Sequence, residues 1–515
     1  MLTPEKQLYI ANANGKEICL EAALGNRHGL IAGATGTGKT VTLQTIVEGF
    51  SALGTPVFLT DIKGDLAGLT QAGAPGGSIA ERIENLGLRE KGYTNRPYPV
   101  CFWDVFGEQG HALRTTVSDM GPFLLSRLLD LNDVQSGILN LVFRIADDKG
   151  LLLLDYKDLR SMVTYVGENS NEFRHTYGNI ASASIGAIQR GLLRLEQEGG
   201  DSFFGEPSLQ LEDLLTNDLL GRGTVHILHA EKLMNRPRVY SAMLLWLLSE
   251  LFERLPEVGD LEKPRLVLMF DEAHLIFSGA PAVLLEKVAQ VVRLIRSKGV
   301  GVYFITQNPS DIPGEVLTQL GNKVLHALRG YTPADQKAIR AAAQSFRENS
   351  EFKTEEAISN LRTGEALVSF LEASGKPAIV EQGLILPPES QVGAITDEQR
   401  RAVILSSRLA GHYDRSIDRE SAYEMLQVYF DKRQEEARLE EEAKINAKRL
   451  KEETRLQKEA EREAKRQAKE NPDIIGNMVG DVAKQVSRTI SNSIGREIGK
   501  KIMRGVLGGI FGSKK

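Results

Sequence analysis

Eight consecutive residues near the start of the chain have the composition of a phosphate-binding loop. They are Gly33, Ala34, Thr35, Gly36, Thr37, Gly38, Lys39 and Thr40. This run matches the pattern GxxxxGK[ST] at every defined position. Glycines let backbone N–H groups turn toward phosphate oxygens, while Lys39 can reach the β- and γ-phosphates and Thr40 can ligate Mg²⁺. The run therefore predicts a binding site for ATP and Mg²⁺.

The residues on either side of this loop supply the elements that it needs. The apolar run Gly29–Ala32 predicts a short buried strand, and Val41–Val47 can continue as a helix. A helix that begins at the loop adds its partial positive charge to the phosphate site. We therefore expect a strand, a glycine loop and a helix in succession.

Two adjacent carboxylates follow a second apolar run. Leu266–Phe270 contains no polar residue, which is typical of a parallel strand buried on both faces, and Asp271 and Glu272 follow it directly. Ligands bind beyond the carboxyl ends of strands in open α/β sheets. We expect Asp271 to hold Mg²⁺, through water or through Thr40, and Glu272 to act as the general base toward the attacking water.

A third apolar run, Gly301–Thr306, precedes Gln307. This amide could hydrogen-bond the γ-phosphate or the attacking water, or it could simply cap a turn. The helix predicted between Val283 and Lys298 carries Arg293 and Arg296. An arginine at a subunit edge can stabilise charge on a neighbour's transferring phosphoryl group, although a surface ion pair is the ordinary alternative for either residue.

Asp271-Glu272-Ala273-His274 also spells DEAH, but we do not assign the chain to the DEAH-box RNA helicases. That class needs two tandem motor domains, and this sequence has one recognisable nucleotide site. We expect His274 to pack or to contact water rather than to bind a metal.

Composition excludes several classes of protein. The chain has 515 residues, 42% of them hydrophobic, a formal net charge of −5 and only two cysteines. This excludes a disulfide scaffold and favours a reducing compartment, so we expect a cytoplasmic protein. The N-terminus does not have the pattern of a secretory signal, and no uncharged apolar run reaches the ~18–20 residues that span a bilayer.

The sequence predicts an α/β fold with a mainly parallel sheet, a helical insertion and a helical C-terminal extension. We expect five regions: the first part of an ATPase core (1–120), the helical insertion (121–220), the second part of the core (221–395), a charged helical extension (396–470) and a basic tail (471–515). Core strands are predicted at 29–33, 56–61, 224–229, 265–271, 301–307 and 323–328. Hairpins are predicted at 8–20 and 366–386, the second of which could complete the sheet or form the rim of the nucleotide site.

Charge is distributed unevenly. Residues 1–430, 431–470 and 471–515 carry net charges of −11, +1 and +5, respectively. Residues 431–470 predict an exposed helix, either single or in a coiled coil, since Leu439, Ile445, Leu450 and Leu456 form no regular seam. Three interpretations of the tail stay open: docking on protein, contact with a membrane surface, or a disordered segment that binds nucleic acid.

The ordered set of motifs resembles the HerA/FtsK branch of hexameric RecA-like P-loop ATPases, and within it a stand-alone bacterial HerA-like helicase C-terminal family. The resemblance covers nearly all of residues 1–510. The matching segments are His28–Thr40, Phe58–Asp65, Phe102–Gly107, Gly121–Ser126, Asp271–His274 and Thr306–Pro309.

The resemblance implies a RecA-like core, a homo-oligomeric ring, DNA as the substrate, and an arginine finger eleven residues before the strand-end glutamine. That position is Arg296, with Arg329 as the runner-up. Asp61 and Lys63 match the DxKG element of the family, but the chemistry of these residue types does not assign them a role. HerA itself has a β-barrel before its phosphate loop, whereas only 32 residues precede Gly33 here. A partner nuclease is therefore in doubt.

Two hypotheses for function follow. The first is an ATP-hydrolysing DNA translocase or helicase with Lys39, Thr40, Asp271, Glu272 and Gln307 in one subunit and Arg296 from the next. The alternative is an ATP-dependent switch or scaffold whose basic tail binds a membrane or a protein partner.

Overall fold

A computed structural model describes residues 1–74, 76–277, 282–330 and 332–470. The predicted basic tail, residues 471–515, lies outside the described residues. Within the described part of the chain, contacts divide the protein into a body, Met1–Gln427, and a second unit that begins at Val428. The region boundaries predicted from sequence at 120, 220 and 395 stay predictions.

In the described residues, twelve strands form a single sheet. The strands are β1 (Leu8–Ala13), β2 (Lys16–Leu20), β3 (Gly29–Ala32), β4 (Val57–Asp61), β5 (Val100–Asp104), β6 (His111–Ala112), β7 (Val225–His229), β8 (Leu266–Phe270), β9 (Val300–Thr306), β10 (Asn322–Leu325), β11 (Glu365–Ser369) and β12 (Glu381–Ile385). Their order across the sheet is β2-β1-β12-β11-β10-β3-β9-β8-β4-β7-β5-β6.

The strands from β10 to β6 in this order are parallel to one another. Every residue of β3, β4, β8 and β9 is buried, which confirms the prediction of central strands covered on both faces. Because these strands are parallel, the segments that follow them emerge at one edge of the sheet. The six predicted core strands are confirmed; β5 and β6 add two parallel strands that the sequence did not indicate.

The other end of the sheet is antiparallel. Strand β11 pairs with β10 and β12, and β1 pairs with β12 and β2. Both predicted hairpins are therefore confirmed as strand pairs: the second extends the sheet beyond β10, and the first forms its edge.

Seventeen α-helices occur in the described residues. They are α1 (Lys39–Ala52), α2 (Gly77–Asn85), α3 (Val117–Leu128), α4 (Asp133–Lys149), α5 (Tyr156–Glu168), α6 (Ser170–Tyr177), α7 (Ser182–Gln197), α8 (Gly200–Phe203), α9 (Leu211–Leu214), α10 (Pro237–Arg254), α11 (His274–Phe277), α12 (Ala282–Ile295), α13 (Gly314–Leu317), α14 (Pro333–Gln344), α15 (Thr354–Asn360), α16 (Asp397–Ser406) and α17 (Ala422–Glu470). Helices α3 to α9 lie between β6 and β7 in the chain, where the helical insertion was predicted.

The chain after β12 returns across the body. The Ser390 hydroxyl accepts a hydrogen bond from one side chain of α1, and the Ser390 N–H donates one to another side chain of that helix. The Arg400 guanidinium of α16 lies 4.4 Å from the centre of the Phe102 ring on β5. Further on, the Ser421 hydroxyl donates to Asp158 of the insertion at 2.5 Å. Residues 386–421 thus connect the nucleotide-site helix, the far strands and the insertion.

Helix α17 carries the charged segment. Leu439, Ile445, Leu450 and Leu456 are about half exposed, and short-range pairs such as Glu435 with Arg438 lie along its surface. Such pairs each contribute only a few tenths of a kcal/mol, roughly 0.2–0.5. Among the described residues, no helix combines the length and apolar character that crossing a membrane requires.

Candidate nucleotide site

The phosphate-loop motif connects β3 to α1, as the sequence predicted. Three of its glycines, Gly33, Gly36 and Gly38, have positive φ angles of 154°, 77° and 117°. Residues with a Cβ adopt such angles at a cost, which explains glycine at these positions. Lys39 opens α1, so the free N–H groups of the helix start at the loop.

A histidine that the sequence did not indicate packs against this loop. A Cβ on Gly33 would lie 2.5 Å from the Cβ of His326, which follows β10. The His326 ring is buried: its Nδ1 lies 2.9 Å from the Glu365 carbonyl oxygen, and its Nε2 lies 2.8 Å from the Thr42 hydroxyl of α1. Since a carbonyl oxygen can only accept, Nδ1 carries the proton and Nε2 accepts. His326 therefore joins the loop, α1 and the segment before β11.

The Lys39 ammonium points back into the loop. Its Nζ donates to the carbonyl oxygens of Gly33 at 2.7 Å and Ala34 at 3.1 Å. Burial lowers the pKa of Lys39, and the carboxylates of Glu272 and Asp271 oppose that shift. Lys39 and the two acids therefore share one electrostatic environment at the same edge of the sheet. Thr40, in the first turn of α1, is half-buried.

Asp271 and Glu272 are buried directly after β8, with 8% and 5% of their surfaces exposed. The Asp271 side chain accepts a hydrogen bond from the Glu272 N–H at 2.9 Å. Burial, and then repulsion from Glu272, raises the pKa of Asp271 to about 7. A cation at this carboxylate would relieve that penalty. The Thr40 hydroxyl and the Asp271 carboxylate are oxygen ligands of the kind Mg²⁺ takes, with the nucleotide phosphates and water as the others.

The Glu272 backbone has a positive φ of 47°, which is uncommon for a residue with a side chain. Its carboxylate accepts hydrogen bonds from Lys63 Nζ at 2.7 Å and from Gln307 Nε2 at 3.3 and 3.4 Å. His274 Nδ1 lies 3.4 Å from its second oxygen. Although burial opposes the change, Lys63 and Gln307 lower the pKa of Glu272, so it is held as a carboxylate.

Gln307 leaves β9 beside Glu272 and is exposed to solvent. It lines a cleft of about 580 Å³ together with His274, Phe277, Asn308 and Asp311. The strand-end glutamine thus lies beside the acidic pair, and its predicted contact with the γ-phosphate or the attacking water stays a prediction. His274 lines the cleft and also contacts Glu272.

The DxKG segment that follows β4 provides Lys63. Both Asp61 carboxylate oxygens accept backbone N–H groups, from Gly64 at 2.8 Å and Leu66 at 3.1 Å. Burial, followed by the nearby Asp65, raises the pKa of Asp61 to about 6. Asp61 thus shapes the turn, and Lys63 extends from it to Glu272.

The two candidate arginines lie at opposite edges. Arg296 is exposed and precedes β9, while Gln307 follows that strand. Seven strand residues at ~3.3 Å each separate those ends by roughly 23 Å. Arg329 is exposed and follows β10, two residues beyond Ala327, whose carbonyl accepts the Ala34 N–H at 2.9 Å. The structure therefore does not bring Arg296 into the site of its own subunit.

Comparison with known proteins places these features in a family. A protein-family model described as "Helicase HerA-like C-terminal" matches residues 6–515. A curated relative, the DNA double-strand break repair helicase HerA of Sulfolobus acidocaldarius, is 28% identical over 104 residues, which are 20% of each chain. The match thus spans only about a fifth of that relative's length.

Two solved structures resemble this chain to different degrees. The unbound bacterial conjugative coupling protein TrwBdeltaN70 superposes with a TM-score of 0.50 at 14% identity, over 74% of this chain and 90% of that one. VirB4 of Thermoanaerobacter pseudethanolicus gives a TM-score of 0.47 at 15% identity, over 77% and 99% of the two chains. At this identity, the likeness to TrwBdeltaN70 supports the α/β P-loop ATPase fold and nothing finer.

Proposed function

The chain belongs to the Helicase HerA-like C-terminal family, and on that premise we propose that it is an ATP-hydrolysing motor that works as a ring-forming DNA translocase or helicase. One observation carries the ATPase part of this proposal. Lys39 ends the phosphate loop that leaves β3, and Glu272 contacts Gln307, at the edge where the parallel strands β3, β9 and β8 end. This arrangement provides a phosphate cradle beside a carboxylate that can take a proton from water.

The chain's own residues divide the work. Residues 33–40 would bind the triphosphate through backbone N–H groups and the Lys39 ammonium, and Thr40 and Asp271 would hold Mg²⁺. Bound Mg²⁺ supplies positive charge that offsets the negative charge on the β- and γ-phosphates. In hydrolysis, a water oxygen bonds to the γ-phosphorus, the bond to the bridging oxygen breaks, and the water proton passes to Glu272. Gln307, next to Glu272, orients that water.

A ring is proposed because Arg296, the arginine at the position of the family's finger, does not reach the phosphate loop of its own chain. Arg296 lies at the opposite edge of the sheet, from which it can serve only another copy of the chain; Arg329 is the second candidate. Mixing Arg296→Ala with Lys39→Ala tests this. If subunits share sites, the two inactive proteins regain activity when mixed, because some interfaces then combine an intact Lys39 with an intact Arg296. If Arg296→Ala does not regain activity when mixed with Lys39→Ala, but Arg329→Ala does, then Arg329 is the arginine finger.

DNA is proposed as the substrate on the strength of the family, and the charge of the body limits how it can bind. With −11 over residues 1–430, contact must come from a local patch rather than from an overall positive field. We propose a cytoplasmic protein. The alternative scaffold function depends on the tail, residues 471–515, which lies outside the described residues.

The decisive experiment measures phosphate release from MgATP, with and without single- and double-stranded DNA, on protein of known oligomeric mass. Lys39→Ala should abolish nucleotide binding or turnover, and Glu272→Gln should keep binding and suppress turnover. A wild-type protein that releases no phosphate under any of these conditions would disprove the motor. Liposome flotation that requires residues 471–515, without DNA-dependent turnover, would favour the scaffold.

A further inference from the structure

The Glu272 carboxylate is held by donors on both of its oxygens. Lys63 Nζ lies 2.7 Å from Oε1, and Gln307 Nε2 lies 3.4 and 3.3 Å from Oε1 and Oε2. His274 Nδ1 lies 3.4 Å from Oε2. A base must offer a free lone pair to the water it deprotonates, so the contacts around Glu272 determine whether it can act.

The order of the strands shows from which side each donor comes. Across the sheet the order is β3-β9-β8-β4, with the phosphate loop after β3, Gln307 after β9, Glu272 after β8 and Lys63 after β4. Adjacent strands are ~4.8 Å apart. Gln307 therefore approaches Glu272 from the side of the phosphate loop, and Lys63 approaches it from the far side.

The ion pair is built so that it can open. The turn that carries Lys63 is fixed by the Asp61 carboxylate, but 46% of the Lys63 side chain is exposed, whereas only 7% of the Glu272 side chain is. The lysine can thus leave Glu272 for solvent without disturbing the backbone on either side. While it stays, the ammonium at 2.7 Å occupies lone-pair space of the Glu272 carboxylate from the side away from the phosphate loop.

We propose that Lys63 is a positioning residue that restrains Glu272, and that stimulation of the ATPase by DNA requires the Lys63–Glu272 ion pair to open. This inference rests on the proposed motor function and adds to it the point at which turnover is controlled. It assigns Lys63 no contact with the nucleotide. Removing the lysine should therefore change the rate of hydrolysis more than the binding of MgATP.

The test compares wild type, Lys63→Met, Lys63→Gln and Lys63→Arg. For each, kcat and KM for MgATP are measured without DNA and with saturating DNA, and the melting temperature is recorded. Lys353→Met is the matched control, since Lys353 is an exposed lysine whose Nζ lies 3.0 Å from Glu356 in a surface ion pair. It removes the same charge without touching the site.

Losing a half-exposed ion pair corresponds to a change of about five-fold. Lys63→Met and Lys63→Gln should raise the rate without DNA by about five-fold, lower the ratio of stimulated to unstimulated rates by about the same factor, and leave KM within about two-fold. Lys63→Arg should give intermediate rates because it restores a cation. Lys353→Met should match wild type.

A rate without DNA at or below wild type in both uncharged variants would overturn the restraint. An unchanged stimulation ratio would overturn its link to DNA. These results are distinguishable from failure of the proposed function, in which wild type itself hydrolyses no ATP or is not stimulated by DNA. Lys63→Met and Lys63→Gln both remove the charge but differ in polarity. Loss of the restraint should therefore affect both variants alike, whereas a packing defect should affect them differently.

Discussion

His326 offers a direct test of how the phosphate loop is supported. The ring is buried and neutral, with Nδ1 donating to the Glu365 carbonyl and Nε2 accepting from Thr42. Replacing His326 with glutamine keeps a polar side chain but cannot fill both hydrogen bonds and the space beside Gly33. We expect His326→Gln to lower stability by about 1–3 kcal/mol at pH 8, the usual cost of leaving a buried polar group unpaired.

The pH dependence of this loss follows from the titration of the ring. Burial lowers the pKa of His326 from 6.5 to about 4. Above pH 6.5 the ring is neutral in both folded and unfolded chains. As the pH falls from 6.5 toward 4, the unfolded chain gains a proton that the folded protein refuses, so the wild type loses stability there and the variant does not. At pH 5 the difference between them should be smaller by about 2 kcal/mol.

The assay is urea unfolding of the nucleotide-free protein at pH 8 and pH 5, together with binding of a fluorescent ATP analogue. His175→Gln, at an exposed position on α6, is the control and should alter neither quantity. ATP binding by His326→Gln should weaken several-fold at pH 8, because the loop loses the ring against which it packs. A stability difference that is the same at both pH values would refute the assigned neutral, buried ring, and unaltered ATP binding would refute its role under the loop.

Two further predictions concern the loop and the helix after it. Gly33→Ala should weaken nucleotide binding more than Gly36→Ala, because a Cβ at Gly33 would lie 2.5 Å from His326, whereas a Cβ at Gly36 would have no atom within 4 Å. Equal effects of the two substitutions in a binding titration would contradict this. Glu48→Ala should lower stability by about 1–3 kcal/mol for each N–H group left unpaired, since the buried carboxyl group accepts the N–H groups of Glu389 at 2.7 Å and Ser390 at 2.9 Å. A melting temperature close to wild type would show that those groups find other partners.

The candidate site could be predicted from sequence where a residue follows directly from a strand. Asp271, Glu272 and Gln307 directly follow continuous apolar runs, Lys39 follows the glycine loop after β3, and parallel strands bring the segments after them to one edge. The pairing of β3 with β9, and of β9 with β8, then sets these residues side by side. The apolar pattern of each strand, with the rule that ligands bind at the carboxyl ends of parallel strands, was enough to predict that these residues lie together.

Other parts of the site depend on contacts between distant segments. His326 meets Thr42 across 284 residues of sequence, and Lys63 meets Glu272 across 209. No local periodicity encodes such pairs; they follow from the order of strands in the sheet. Strand β6 has only two residues, too short to leave an alternating or apolar pattern. The DxKG match indicates Lys63, but the partner of Lys63 depends on the pairing of β4 with β8.

The geometry also links assembly to catalysis. Glu272 is held on the phosphate side by Gln307 and on the far side by Lys63, so the base is present in each subunit but restrained. Arg296, by contrast, is at the opposite edge from the phosphate loop of its own subunit. In the function we propose, one copy of the chain would bind the nucleotide and deprotonate water, and Arg296 of another copy would supply the cation for the transferring phosphoryl group. Nucleotide binding would then need one subunit and fast hydrolysis two, so that the proposed ring would complete the active site.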